Sequence, residues 1–193
     1  MPKWNFAIAS NNDLTIRAPC IGSSLRTPRD SMINNVILII TILLASIHAL
    51  CRRKSLRKKD LVDLYLIYIF VGCVGIIGSI GFIGHVFYAK QVAHMIGWPI
   101  GSPFQFEVGC HDGAWALLGF LCLYFRDHFW TATGIGWSFF LLGATYGHIK
   151  QTVLMHDYSS YNYAIIFSDF LTPVVLITLL IIRARLYSHS MRK

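Results

Sequence analysis

Apolar residues dominate five stretches of this chain, at 33–50, 64–89, 108–125, 129–149 and 164–182. Each is close to the about 20 residues that an α-helix needs to cross a hydrocarbon core of ~30 Å. The pattern therefore predicts an all-α fold, a transmembrane helical bundle. Its expected organisation is a first transmembrane helix and basic loop over residues 32–60, a four-helix core at 61–183 within a membrane domain of 61–186, and a tail at 187–193. Residues 1–31 lack any amphipathic period and any apolar signal-peptide core, and hold Asn11, Asn12, Pro19, Ser23, Ser24 and Pro28. They read as a disordered or wrongly included N-terminal extension. Met32 directly precedes the first apolar run, so translation from Met1 and from Met32 are both open.

Composition agrees with the bilayer as a partner. Of the 193 residues 55% are hydrophobic and 13% charged, against about 25% charged in soluble domains, and the mean hydropathy is +0.55. The net charge of +8 does not point to nucleic acid, because beyond residue 31 the basic residues fall mainly in two blocks flanking apolar runs. Arg52, Arg53, Lys54, Arg57, Lys58 and Lys59 form the denser block, and Arg183, Arg185, Arg192 and Lys193 the other. The positive-inside rule places both in the cytoplasm, which predicts an N-out, C-in topology. A tail starting at Met1 would export Lys3, Arg17, Arg26 and Arg29, which favours Met32 as the start. The cysteines at 20, 51, 73, 110 and 122 contain no CxxC pair and read as small core residues.

The second apolar stretch carries Gly72, Gly75, Gly78, Gly81 and Gly84, a glycine at every third position. Small residues let neighbouring backbones approach closely within a bilayer. A three-residue repeat drifts about 60° per step around a helix of 3.6 residues per turn, so these glycines predict a spiral groove. It serves either helix packing against two neighbours or a hinge or backbone-lined ligand slot.

Ionisable groups gather near the expected outer face. His85 and His148 lie at the outer ends of their helices, and Glu107 and His111 share a face one turn apart. Asp112 points roughly 100° away from His111. Asp169 lies about two turns inward from Asn162 and just before Pro173, which frees a helical carbonyl. An ionisable side chain within a bilayer costs roughly 2.5–3.5 kcal/mol on insertion scales, so such a cluster asks for a pocket, a partner or a ligand. His85, Glu107, His111 and His148 are the candidate metal ligands, since imidazole and carboxylate suit transition metals. Gln105, Asp112, Asn162 and Asp169 are the candidate polar supports. A proton-linked pocket and a plain hydrogen-bond network are the competing readings of the same residues.

The connection before the third span contains Gly97, Pro99, Gly101 and Pro103, which predicts an irregular loop up to Glu107. Trp98, Phe104 and Phe106 suit it either to a lid over the polar cluster or to an interfacial anchor. Here Ile96-Gly97-Trp98-Pro99, Ser102-Pro103-Phe104-Gln105 and Glu107-Val108-Gly109 resemble the signature of an uncharacterised family of small bacterial membrane proteins, over residues 60–183. More distantly, Gly84-His85 and Glu107-Val108-Gly109 resemble the DoxX-like four-helix group, some of whose members are linked to quinone or thiol redox complexes. The resemblance implies a bundle in the bacterial inner membrane and carries no catalytic residue across.

Three functions are compatible with these residues and stand as expectations. One is an accessory or assembly subunit that binds a membrane partner or a second copy of itself through the glycine-rich helix and the aromatic loop. Another is a redox-associated subunit holding a transition metal, haem or quinone at its outer face. The third is a small proton-coupled transporter built around Asp169. No GxSxG, HExxH or nucleotide-binding loop is present.

Overall fold

The computed structural model describes residues 32–156 and 158–190, and every regular element among them is helical. The expectation of disorder for residues 1–31 lies outside the described residues. The elements are α1 (Ile33–Arg52), α2 (Lys58–Phe87), α3 (Ala89–Ile96), α4 (Phe104–Leu121), α5 (His128–Leu154) and α6 (Ser160–Ser190). Among the described residues, three helical stretches, α1, α2 and Tyr161–Ser188 of α6, are long and apolar enough to cross a membrane. Large apolar side chains such as Ile39, Leu43 and Ile47 of α1 and Phe139 of α5 lie exposed on the surface, as lipid-facing positions do.

The long helices alternate in direction, so Ile33, His85, Phe104, His148 and Tyr161 lie toward one end and Arg52, Lys58, Leu121 and Arg183 toward the other. α5 runs along α6, and the second half of α2 runs along α4. α1 packs on α2 and α6, whereas α4 and α5 meet over only a short stretch. Asn35 Nδ2 donates to the Ala164 carbonyl at 2.7 Å and the Ser46 and Tyr65 hydroxyls share a bond at 2.9 Å, fixing α1 to both neighbours. The apolar core joins Leu38, Leu66, Phe70, Trp130, Trp137 and Leu176.

Within α2, residues Phe70–Ile76 form a π-helix. Its i→i+5 bonding places more residues in a turn than an α-helix does and rotates the rest of α2 about its axis. The glycine spiral is accordingly shared among three neighbours. A Cβ at Gly72 would collide with Thr41 of α1, at Gly75 with the Phe120 ring and at Gly78 with the Asp112 carbonyl of α4, and at Gly84 it would press on Val92 of α3. α4 answers with small residues of its own, Gly109, Gly113, Ala116 and Gly119, packed against Val86, Phe82, Gly78 and Gly75.

One expectation is corrected. Phe104, Gln105, Phe106 and Glu107 are not loop but the first turn of α4. Pro103 immediately before it has φ −61°, a value suited to a helix start, where the missing N–H is needed least. The irregular part is limited to residues 97–103. It starts at Gly97, whose φ of 76° closes α3 while the Trp98 N–H donates to the Ala93 carbonyl at 2.9 Å.

Candidate functional site

A cavity of about 670 Å³ occupies the end of the bundle where α2 and α5 finish and α4 and α6 begin. Its walls are mostly apolar or aromatic, with Trp98, Phe104, Trp137 and Phe140 among them. Gly81 and Gly84 of α2 and Gly143 and Gly147 of α5 keep its sides open. Into this wall the fold sets Asp112 from α4, His85 from α2, His148 and Gln151 from α5, and Tyr161 and Asp169 from α6.

Each polar group has a structural reason for its position. Gly81 leaves the space that the Asp112 carboxylate fills, since a Cβ there would collide with Oδ2. Asp112 and Asp169 are both buried, and together with Tyr161 they line the same cavity. Pro173 has no N–H to offer the Asp169 carbonyl four residues before it. His148 Nδ1 and Asn162 Oδ1 lie 3.0 Å apart, the ring N–H donating, and Asn162 is fully buried. The Trp98 ring lies beside both His85 and Phe104, with centroids 6.1 and 5.9 Å apart, so residues 97–103 cover the cavity with an aromatic side chain.

The four candidate metal ligands are divided by this arrangement. His85 and His148 line the cavity, whereas Glu107 is exposed and outside its lining. His111 faces the gap between α4 and α5, where its Nε2 accepts the Trp115 indole N–H at 2.8 Å and its ring rests on Phe140. Among the described residues, no group of three His, Cys, Asp or Glu side chains is placed to hold a metal ion. Gln105 is buried but does not line the cavity. Asp112, expected as a support, and Asp169, expected as a support or as the centre of a proton-coupled transporter, are the two acidic residues of its lining.

Several polar atoms on or beside this wall are buried without a hydrogen-bond partner: His85 Nδ1, Trp137 Nε1 and Gln151 Oε1. Protein interiors rarely leave such atoms unmatched, because each costs about 1–3 kcal/mol. These three belong to residues that line the cavity, while others, such as Gln105 Nε2 and Ser138 Oγ, belong to residues outside its lining.

A second polar cluster, at the opposite end, went unrecognised in the sequence. Arg183 donates from Nε to Asp63 Oδ1 and from Nη2 to Asp127 Oδ1, both at 2.8 Å, and Tyr187 donates to Asp63 Oδ2 at 2.9 Å. The guanidinium also lies over the rings of Trp130 and Tyr187, at 5.0 and 4.5 Å. This clamp joins α2, the α4–α5 turn and α6. Its one sequence signal was the Arg183/Tyr187 pair four apart on a helix, which share a face. The clamp also holds Asp127 at a φ of 56°, a conformation that a non-glycine residue adopts at a cost.

The hydrogen bond from Arg183 holds the Asp127 carboxyl below its ordinary range. A folded-state value below the unfolded one, about 3.9, makes the pair stabilising above that pH and progressively less so as pH falls through the lowered value. The melting temperature of Asp127→Asn in detergent is therefore expected below wild type at pH 7. The gap should close under acid, and one that stays constant down to pH 3 would contradict the pairing.

Residues 31–189 match the model of a family of unknown function, DUF6790. No curated protein and no solved structure matches the chain.

Proposed function

The chain belongs to the DUF6790 family, and we propose that it is a polytopic membrane protein that binds a small amphipathic guest in the cavity at one end of its bundle. The single observation carrying this reading is the 670 Å³ cavity, whose size lies in the about 300–1,000 Å³ range of small-molecule sites. Apolar walls with a few convergent polar groups are the usual build of such a site. On this reading α4 and α5 also cross the bilayer, with Gln105, Glu107, His111, Asp112 and His148 lowering their hydropathy. Of these, Asp112 and His148 line the pocket.

Orientation belongs to the same proposal. The densest basic block, Arg52 to Lys59, and Arg183 and Arg185 lie at the end opposite the cavity. The positive-inside rule assigns that end to the cytoplasm, so the cavity opens to the outer face of a bacterial inner membrane. A relation to DoxX-like bundles through Gly84-His85 and Glu107-Val108-Gly109 would add a redox partner to the pocket. An accessory role in a larger complex would make the guest the link to that partner.

The test uses the neutral dye N-phenyl-1-naphthylamine and protein in lipid nanodiscs. Trp98 and Trp137 line the cavity, so energy transfer to the dye is expected to saturate. Gly147 also lines it, and a Cβ there meets nothing within 4 Å, so Gly147→Phe fills the space without displacing the fold. That variant is expected to weaken dye binding at least fivefold at an undiminished melting temperature. Transfer that rises linearly with dye, equally in both proteins, would reject the pocket.

A further inference from the structure

The cavity presents two carboxyl side chains and no lysine or arginine. Asp112 and Asp169 face it from different helices, 8% and 5% exposed. The carbonyl of Asp169 lacks its helical N–H donor because residue 173 is proline. Elsewhere in the same molecule a partly buried acid is matched by a cation, as Asp63 is by Arg183 at 2.8 Å. Buried carboxylates are costly unless paired, and among the described residues the basic group recorded beside Asp112 is the His111 imidazole, its Nδ1 3.8 Å from Asp112 Oδ1.

The walls suit a positive charge. Trp98, Phe104, Trp137, Phe140 and Tyr161 surround the cavity, and aromatic faces attract cations, most strongly where water is excluded. An independent sign that this wall meets a guest is Trp137, which is 2% exposed while its indole N–H has no partner. That group offers a hydrogen bond to an acceptor atom on the guest. Gly136, Phe139, Phe140, Gly143 and Ala144 of α5, with His111 and Trp115 of α4, also border a groove on the far side of the α4–α5 gap. Phe140, Gly143 and Ala144 belong to both hollows, so the partition between the cavity and that groove is thin and built partly from small residues.

We infer that the guest is an amphipathic organic cation, an ammonium or comparable onium group on an apolar body. It is held with its charge between Asp112 and Asp169 and its body against the aromatic wall. The inference rests on the guest-binding reading above and narrows it to a chemical class. The imidazoles of His85 and His148 share the same cavity. Of the two, His85 has a buried ring nitrogen, Nδ1, without a partner.

The test compares two ions of the same shape and opposite charge, tetraphenylphosphonium and tetraphenylborate, by equilibrium binding to the full chain in nanodiscs. Saturable binding of the phosphonium at one per chain is expected, with the borate at least tenfold weaker. Asp112→Asn and Asp169→Asn are each expected to weaken the phosphonium at least tenfold. Both are near-isosteric changes, and their melting temperatures and elution volumes report whether the fold survives. Should either fail to fold, Gly147→Phe must abolish saturable phosphonium uptake. Equal binding of the two ions, or aspartate variants that bind like wild type, would overturn the cation assignment. If the neutral dye saturates and the phosphonium does not, the cation class falls and the pocket stands. If neither saturates, both fall.

Discussion

Leucine in place of Gly119 is expected to prevent the bundle from assembling. A Cβ at this position would stand 2.8 Å from the Phe70 carbonyl oxygen and 2.9 Å from Gly75 Cα, with the Gly75 nitrogen closer still. These are backbone atoms of the π-helical part of α2, so no side-chain rotation relieves the collision. Over-packing commonly costs about 1–3 kcal/mol where neighbours can adjust, and here the loss should reach or exceed the top of that range. The expected readout is a protein that aggregates on extraction, or one that unfolds at markedly lower denaturant in mixed micelles. Gly143→Ala is the internal control, since a Cβ there meets nothing within 4 Å. Exchanging a helical glycine for alanine gains about 0.8–1.0 kcal/mol of propensity, so that variant should be as stable as wild type or more so. Equal unfolding of Gly119→Leu and wild type would mean that α2 and α4 do not meet as described.

The second large effect belongs to Arg183. Arg183→Met removes the guanidinium that bonds Asp63 and Asp127 and covers the Trp130 and Tyr187 rings. The side chain of Asp63 is 14% exposed, so it is left as a buried charge with only the Tyr187 hydroxyl, whereas that of Asp127 is 71% exposed and regains water. Breaking a buried pair from one side costs about 3–5 kcal/mol, and the lower part of that range applies because one acid is solvated. The double variant Arg183→Met with Asp63→Asn should recover part of the loss, because it also removes the stranded charge. Additive losses in the double-mutant cycle would show that the two groups are not coupled.

Much of the fold was legible in one dimension. The apolar stretches placed the long helices, with ends off by up to eight residues as at the end of α6, because hydrophobic length and helical rise are local quantities. The short α3 was not legible at all, since the residues between the second and third apolar stretches read as connection. The start of α4 was not legible either, since Pro103 serves as well to begin a helix as to interrupt one. The division of the glycine spiral among α1, α3 and α4 was hidden by the π-helix at Phe70–Ile76, through which faces cannot be projected at 3.6 residues per turn. The contribution of Gly119 was missed for a similar reason: its partners are Phe70 and Gly75 on another helix, and no period along α4 announces them.

The candidate site shows the same boundary. By itself the sequence determined that His85, His148, Asp112, Asn162 and Asp169 lie near one end of a helical bundle, because rise per residue and alternation of direction are enough for depth. It also required that His111 and Asp112, consecutive on one helix, face about 100° apart. Only the tertiary structure decided which of them looks inward. The contact of α4 with Gly78 and Gly81 turns Asp112 into the cavity, leaving His111 to Trp115 at the α4–α5 gap. It likewise decided that Arg183, an exposed topogenic charge by position alone, is buried between Asp63 and Asp127. Depth along a helix is set by the chain itself. Rotation about the helix axis is set by which small residues its neighbours present, and that is information no single segment contains.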